Sequence, residues 1–358
     1  MCVGLTCVDM ISVVASFPKE DSDNRCLRQY WSRGGNASNN ATVLAILGNE
    51  KVSCLSCLSA KDFLCQFILT DFSHFGVDVG HLAFYSEDDE KWKEKNANDG
   101  SVNLSARIPL STCLLSVDTG TRTIAHRNEG APEVDLTHFE AVDLNDYAWV
   151  HFEGRLNVAE IESMIKKIKH FNEGLVGLHD NDSRQRGCVV SVELEKCKPE
   201  IDCLINTADV VFISKQRAKM KGFDNAWDAV HGLLPDVSPA ALLVIPWGDV
   251  GVAAAIAPVD RELDADVVFV EAHHPDQVVD SLGAGDTFIA AVIHSLNRKF
   301  TWRWMKVGEK EKVLPTWSRD YLVEALTFGC WLAGEKCSRF GFRELKDWFQ
   351  EEHSTFGR

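Results

Sequence analysis

Chemistry first suggests itself between Val278 and Asn297, in the run VVDSLGAGDTFIAAVIHSLN. A polar turn, Asp280-Ser281, leads through Gly283-Ala284-Gly285 to Asp286. Beyond it Phe288, Ile289, Val292, Ile293 and Leu296 recur at the spacing of one buried face of an amphipathic helix. The pattern predicts a helix that begins near Asp286, with two glycines in the turn before it. Such an N-terminus presents unpaired backbone N–H groups and the positive end of the helix dipole, and glycine lets an anion approach that backbone closely. An acidic residue at an anion site needs a reason. One is that Asp286 only caps the helix. The other is catalytic: a carboxylate facing a transferring phosphoryl group accepts the proton of an attacking hydroxyl, while the amides of Gly283, Ala284 and Gly285 stabilise phosphate charge. On residue types and spacing, the chemistry is phosphoryl transfer.

Two further places could touch a ligand. The N-terminal run CVGLTCVDM reads as a buried strand ending at Asp9. Ligands of open α/β sheets sit beyond the carboxyl ends of strands, so Asp9 is a candidate, with an ordinary turn residue as the alternative. Further on, Arg33-Gly34-Gly35-Asn36-Ala37-Ser38-Asn39-Asn40 opens the helical ATVLAILG. A Gly-Gly pair there brings backbone within reach of a ligand, and Asn36 and Asn39 stand one turn apart. A carboxamide offers a donor and an acceptor together, which suits a polyol. Capping by asparagine is the plainer reading. Cys54-Leu-Ser-Cys57 has C-x-x-C spacing but lies in a strand-like run with no second ligand pair, so it reads as structural. Glu153 and Arg155 read as an ion pair at a strand end, and His273-His274 as a turn.

The elements that must position these residues follow a clear rhythm. Strand-like KVSCLSCLS, AWVHF, GCVVSVEL, DVVFI and ALLVIPW alternate with helical stretches such as DFLCQFILTDFSHFG and VAEIESMIKKIKHF, and SRDYLVEALTFGCWLAGEKC closes the chain as a long helix. Alternation of this kind predicts an α/β fold with a mainly parallel central sheet covered by helices on both faces. Residues of about 10–33 and 80–130 carry short strands without helices (ISVVASF, HLAFY, STCLLSV, TRTIAHR) and should form a separate small sheet over it. The charged EDDEKWKEKNANDGSVNLS reads as an insertion.

The 358-residue chain is long enough for a substantial core, and its 45% hydrophobic and 25% charged content is that of a soluble globular protein. A formal charge of −16 argues against nucleic acid or an anionic membrane as the main partner. No apolar run reaches the roughly 18 residues of a membrane span, and Met1 leads into a strand with no basic leader. Twelve scattered cysteines fit reduced thiols, so a cytoplasmic protein is expected.

Asp9, RGGNASN, the Gly248-x-x-Gly251 turn between ALLVIPW and VAAAIA, and DSLGAGD occur in an order and spacing that resemble the ribokinase-like (PfkB) sugar kinase family. GGNASN and DSLGAGDTF look like its two signature regions. HFEGR, SVELEK, VVFISK and FGCWLAGEKC look like the versions of these segments in its fructose-phosphorylating members. The resemblance covers nearly the whole chain apart from two insertions, at about 87–106 and 300–317, and the tail. It implies one kinase domain over 1–358, with its lid at about 10–33 and 80–130, that uses ATP to phosphorylate the C1 hydroxyl of fructose, yielding fructose 1-phosphate and ADP. Another sugar or nucleoside, or a catalytically silent binding protein, is the alternative. By the same resemblance, Asp9, Gly35, Asn36 and Asn39 hold sugar hydroxyls, and Asp286 touches the attacking hydroxyl as base. Gly283, Ala284 and Gly285 form the anion hole, while Arg122 and the turn Gly248, Asp249, Val250 and Gly251 contact ATP. The lid pairs with its twin in a homodimer, and Asp23 of one copy reaches the sugar of the other. One departure stands out. Where many members carry N-x-x-E, this chain reads Ser214-Lys215-Gln216-Arg217, without a carboxylate. Mg²⁺ would then be held chiefly by ATP and water, and no protein ligand is assigned to it. Asp280 is a candidate to orient this network or to hold a monovalent cation such as K⁺.

Overall fold

A strand eight residues long, Cys7–Val14, organises the sheet expected as a lid. The computed structural model describes residues 1–49, 51–86, 107–128, 130–174, 187–260, 263–308 and 310–354, so the insertion expected at about 87–106 lies outside the described residues. The chain divides into two compact units, and elements are numbered along the sequence. One unit comprises Gly4–Val134, Pro275–Thr287 and Ala333–Arg358. In it β2 (Cys7–Val14) lies between β3 (Arg28–Gly34), antiparallel to it, and β7 (Leu110–Ser116), parallel to it, and β8 (Arg122–Arg127) adds antiparallel to β7. Alternate residues Ile11, Val13, Cys113 and Leu115 are buried on one face against Tyr30, Leu282 and Phe340, as period-2 patterning requires. This unit also holds α1 (Asn36–Ile46), α2 (Phe63–Phe75), the first turn of α7 (Ala284–Asn297), the end of α8 (Arg319–Cys337) and α9 (Gly341–Ser354).

The other unit comprises Met1–Val3, Asp135–His274 and Phe288–Leu332. Its strands run in the order β14 (Val267–Glu271), β13 (Gly251–Ile256), β12 (Leu242–Pro246), β11 (Val210–Ile213), β10 (Val189–Leu194), β9 (Trp149–Glu153) and β1 (Cys2–Val3). From β1 to β12 the pairing is parallel, whereas β13 and β14 are antiparallel at the edge. β9, β10 and β11 are buried at every residue, which is why they read as unbroken apolar runs. Helices α3 (Leu136–Glu140), α4 (Val158–Gly174), α5 (Lys215–Met220) and α6 (Ala226–Leu233) connect or cover them. The expected insertion near 300–317 is a regular hairpin, β15 (Thr301–Val307) with β16 (Lys310–Thr316).

Two expectations need correction. CVGLTCVDM is not one strand: β1 ends at Val3, and Asp9 is the third residue of β2 rather than a strand end. Cys2, Val3, Cys7 and Val8 are all buried, so the break left no trace in the hydrophobic pattern. HLAFY does not join the lid. Its β6 (Ala83–Tyr85) pairs in parallel with β5 (Cys57–Ser59), and β4 (Cys54–Leu55) precedes that pair. The helix expected to begin near Asp286 is α7, which starts at Ala284, two residues earlier.

Candidate active site

Asp9 projects from β2 onto Gly34. A Cβ built on Gly34 would sit 2.1 Å from Asp9 Oδ2 and 2.4 Å from Cγ, so only glycine leaves room for this carboxylate. Asp9 is buried, and Cys7 Sγ donates to its Oδ1 at 3.6 Å. Burial pushes its carboxyl above the usual range; hydrogen bonds from Ser111 and Cys7 oppose the shift, and the charge of Asp280 adds to it. Gly35, with φ 98°, is the N-cap of α1, which has no side-chain capping bond. The asparagines therefore do not cap this helix as the plainer reading had it. Beneath them the Arg33 guanidinium is wholly buried. It donates to Asp71 at 3.0 Å, to the Ser38 carbonyl at 3.0 Å and to Thr42, and it lies 3.9 Å over the Phe72 ring. That fixes the first turn of α1, and with it Asn36, Asn39 and Asn40.

Two of these asparagines converge on Asp286. Asn39 Nδ2 donates to Asp286 Oδ2 at 2.7 Å, and Asn40 Nδ2 donates to the Asp286 carbonyl at 2.9 Å. Asp286 is only 8% exposed and stands in the first turn of α7, inside the helix rather than at its cap. Asp286 is therefore not itself the N-cap residue of this helix. Before it the chain turns at Gly283, whose φ of 77° and closeness to Phe342 (2.7 Å from a built Cβ) exclude a side chain. A Cβ on Gly285 would meet nothing within 4 Å. Gly285 is exposed at this helix start, and the amides of Gly285 and Asp286 belong to the first turn, where N–H groups lack helical acceptors, while Ala284 N makes a long bond of 3.4 Å to the Ser281 carbonyl. The arrangement suits an anion, with a buried carboxylate one turn away.

The turn is held from behind by an ion pair. Lys336 Nζ donates to the Asp280 carbonyl at 2.9 Å and to Asp280 Oδ2 at 3.0 Å, and both side chains are essentially inaccessible. Asp280 also accepts from Leu282 N and Gly341 N, each at 2.9 Å. An ammonium group thus already stands at Asp280. Of the two roles expected for this residue, the geometry favours orienting the turn. Arg122, the first residue of β8, donates to Ser281 Oγ at 3.0 Å, which sets an exposed guanidinium beside the same turn.

The structure therefore brings Asp9, Gly35, Asn36, Asn39, Arg122, Gly283, Ala284, Gly285 and Asp286 into one unit. Asp23 lies in that unit too, on an exposed loop. Gly248, Asp249, Val250 and Gly251 belong to the other unit, as a short turn between β12 and β13. There Lys215 Nζ lies 3.7 Å from Asp249 Oδ1, and a Cβ on Gly251 would strike the Val270 carbonyl at 2.2 Å. Among the described residues no group of three His, Cys, Asp or Glu side chains is placed to hold a metal ion. Ser214 caps α5, and Arg217 is buried against Asp202 and the carbonyls of Lys196 and Lys198. Glu153 and Arg155 form the expected ion pair, at 2.8 Å, and Cys54 and Cys57 are buried and in no disulfide. Sequence reasoning missed Asn40 and Lys336.

Residues 86–348 match the profile of pfkB family carbohydrate kinases. The chain belongs to that family. It is 36% identical to ketohexokinase from Mus musculus over 342 residues, 96% of this chain and 97% of the relative. Its fold is ribokinase-like. Ribokinase from Giardia lamblia superposes with a TM-score of 0.71 at 15% identity, covering 98% of each chain. A double-mutant fructokinase from Vibrio cholerae O395, in a form bound to fructose, ADP and a potassium ion, gives 0.60 at 15% identity over 95% of this chain and 92% of that one. For a carbohydrate kinase of the pfkB family, an anion-ready helix start beside a buried carboxylate is the arrangement the chemistry requires.

Proposed function

We propose that this kinase transfers the γ-phosphoryl group of ATP to the C1 hydroxyl of fructose, giving fructose 1-phosphate and ADP. The observation that carries the reading is Asp286. Its carboxylate is buried, oriented by Asn39, and set in the first turn of a helix whose start is open to phosphate. In the reaction Asp286 takes the hydroxyl proton as the C1 oxygen bonds to phosphorus, and the bond from phosphorus to the departing ADP oxygen breaks. Amides at Gly283 to Gly285 stabilise the charge on the moving group. Asp9, Gly35, Asn36 and Asn39 hold the sugar hydroxyls. Arg122 and the turn Gly248 to Gly251 contact ATP. Mg²⁺ would arrive with the ATP phosphates, its other positions filled by water; among the described residues no group of three acidic, His or Cys side chains is placed to hold it. The Vibrio cholerae fructokinase is the reason to test a monovalent cation such as K⁺ as well. The ketohexokinase relative supports the ketose.

The whole chain would act as one kinase domain whose small sheet serves as the lid. Its outer strands, β3 and β8, leave edges and the apolar Leu27, Trp31 and Ile124 exposed, which supports a homodimer that pairs lid with lid. Asp23 of one copy would then reach the sugar of the other. Among the described residues no helix is long and apolar enough to cross a membrane, and a cytoplasmic location goes with the reading. The test is ATP consumption against a panel of ketoses, aldoses and nucleosides, with the product identified by NMR. Fructose should show the highest kcat/KM and be phosphorylated at C1. A nucleoside or aldose in first place would replace the substrate, and folded protein with no turnover on any of them would leave a silent binder.

A further inference from the structure

Asn40 is the fifth residue of α1 and fully buried, so it lies beyond the reach of a bound sugar. Neighbouring residues of a helix point about 100° apart. Asn39 and Asn40 nevertheless both end on Asp286, one at carboxylate Oδ2 and the other at the backbone carbonyl. A carbonyl oxygen only accepts, so the amide nitrogen of Asn40 must face it. Hydrogen-bond accounting does not explain this second contact. The Asp286 carbonyl stands at the start of a helix that runs on to Asn297, and it has a helical N–H donor four residues along. Asn40, for its part, leaves Oδ1 buried and, among the described residues, without a hydrogen-bond partner. An unpaired buried acceptor is costly, and an apolar side chain at this position would avoid the cost.

What the contact does is fix where Asp286 stands. The anchor is firm: buried Arg33 donates to the Ser38 carbonyl and to Thr42, which bracket Asn40 along α1. Held at both side chain and main chain, Asp286 can neither swing about its side-chain bonds nor slide with the first turn of α7. The two asparagines differ in one respect. Asn39 is also assigned to a sugar hydroxyl, so its hold on the carboxylate must adjust when substrate binds, whereas Asn40 is out of the substrate's reach. The Asp280–Lys336 pair supports the glycine turn separately.

We propose that Asn40 is a positioning residue for catalysis, holding the backbone of Asp286 so that its carboxylate meets the attacking hydroxyl. The inference rests on the reading of Asp286 as the base. The test measures kcat, both KM values and melting temperature for Asn40→Leu, which keeps the branched shape, and Asn40→Ala, which avoids overpacking. Each is made in the parent and in Asp286→Asn. In the parent background kcat should fall about tenfold or more, because small misplacements of a reacting group are costly. KM for fructose and for ATP should stay within about threefold, since their ligands are left in place. The melting temperature should not fall with kcat in at least one of the two variants. In the Asp286→Asn background the same substitutions should change kcat less than twofold, because the group they position is gone. A kcat within twofold of the parent in both variants, while Asp286→Asn shows its own loss, overturns this inference and leaves the base in place. A tenfold loss that persists in Asp286→Asn, or loss of folding in both variants, assigns Asn40 to packing and overturns it too. Parental kcat in Asp286→Asn itself removes the base, and this inference with it.

Discussion

Replacing Lys336 with methionine tests the support behind the turn that is proposed to bind phosphate. The substitution keeps the length of the side chain and removes one ammonium, leaving the Asp280 carboxylate buried without its cation. Removing one partner of a buried pair typically costs about 3–5 kcal/mol. Asp280 keeps two backbone donors, Leu282 N and Gly341 N, so the low end, about 3 kcal/mol, is expected. For a chain of this size that corresponds to a fall in melting temperature of about 4 °C. The turn from Asp280 to Gly285 should also loosen, raising KM for ATP. The double variant Asp280→Asn with Lys336→Met removes both charges and should recover at least half of the lost stability, because no uncompensated charge remains. Calorimetry on the parent, both single variants and the double variant gives the coupling. A fall below about 2 °C for Lys336→Met, or losses in the double variant that simply add, would refute the claim that this pair holds the turn.

Three other outcomes are expected. Gly34→Ala places a methyl on the Asp9 carboxylate and should raise KM for the sugar tenfold or more, with KM for ATP changed little; equal effects on both would speak against Asp9 as a sugar ligand. His151, fully buried with Nδ1 2.8 Å from Ser191 Oγ, is held down to about 3 mainly by burial. Its unfolded form protonates near 6.5 and the folded form does not, so stability present above that pH is lost as pH falls, about 2–3 kcal/mol by two units lower. His151→Asn should flatten that loss in a denaturant series, and an unchanged slope would assign it to other groups. Sedimentation at micromolar concentration should give a dimer, and Asp23→Ala should raise KM for the ketose far more than for ATP; a monomer mass removes the shared site.

What the sequence disclosed was local chemistry. DSLGAGD announced a helix start behind a glycine turn, because the glycine there is dictated by backbone conformation whatever surrounds it. The α/β alternation was equally readable, since β9, β10 and β11 are buried on both faces. Contacts between distant segments were not. Lys336 sits in a long helix where a lysine normally signals a solvated face, and only its contact with Asp280, 56 residues away, shows otherwise. Asn40 carried no signal of its own, yet it binds the Asp286 carbonyl across 246 residues. Gly34 was read as backbone meant for a ligand, and it proves to make room for Asp9. The break between β1 and β2 falls at the half-buried Gly4 and Leu5, inside an apolar run whose residue types do not show it.

The most direct test of the central claim is Asp286→Asn, with kcat on fructose and ATP affinity measured on the same purified protein. Asparagine keeps the shape of the side chain and cannot take the proton. Loss of general-base assistance predicts a kcat lower by about 10²–10⁴-fold, or roughly 3–5 kcal/mol of barrier. ATP should bind at least as well as before, because the anion site is backbone and a neighbouring negative charge is gone. Fructose should bind measurably through Asp9, Asn36 and Asn39. A kcat within a few-fold of the parent, in a variant that still binds ATP, would contradict the assignment of Asp286 as the base.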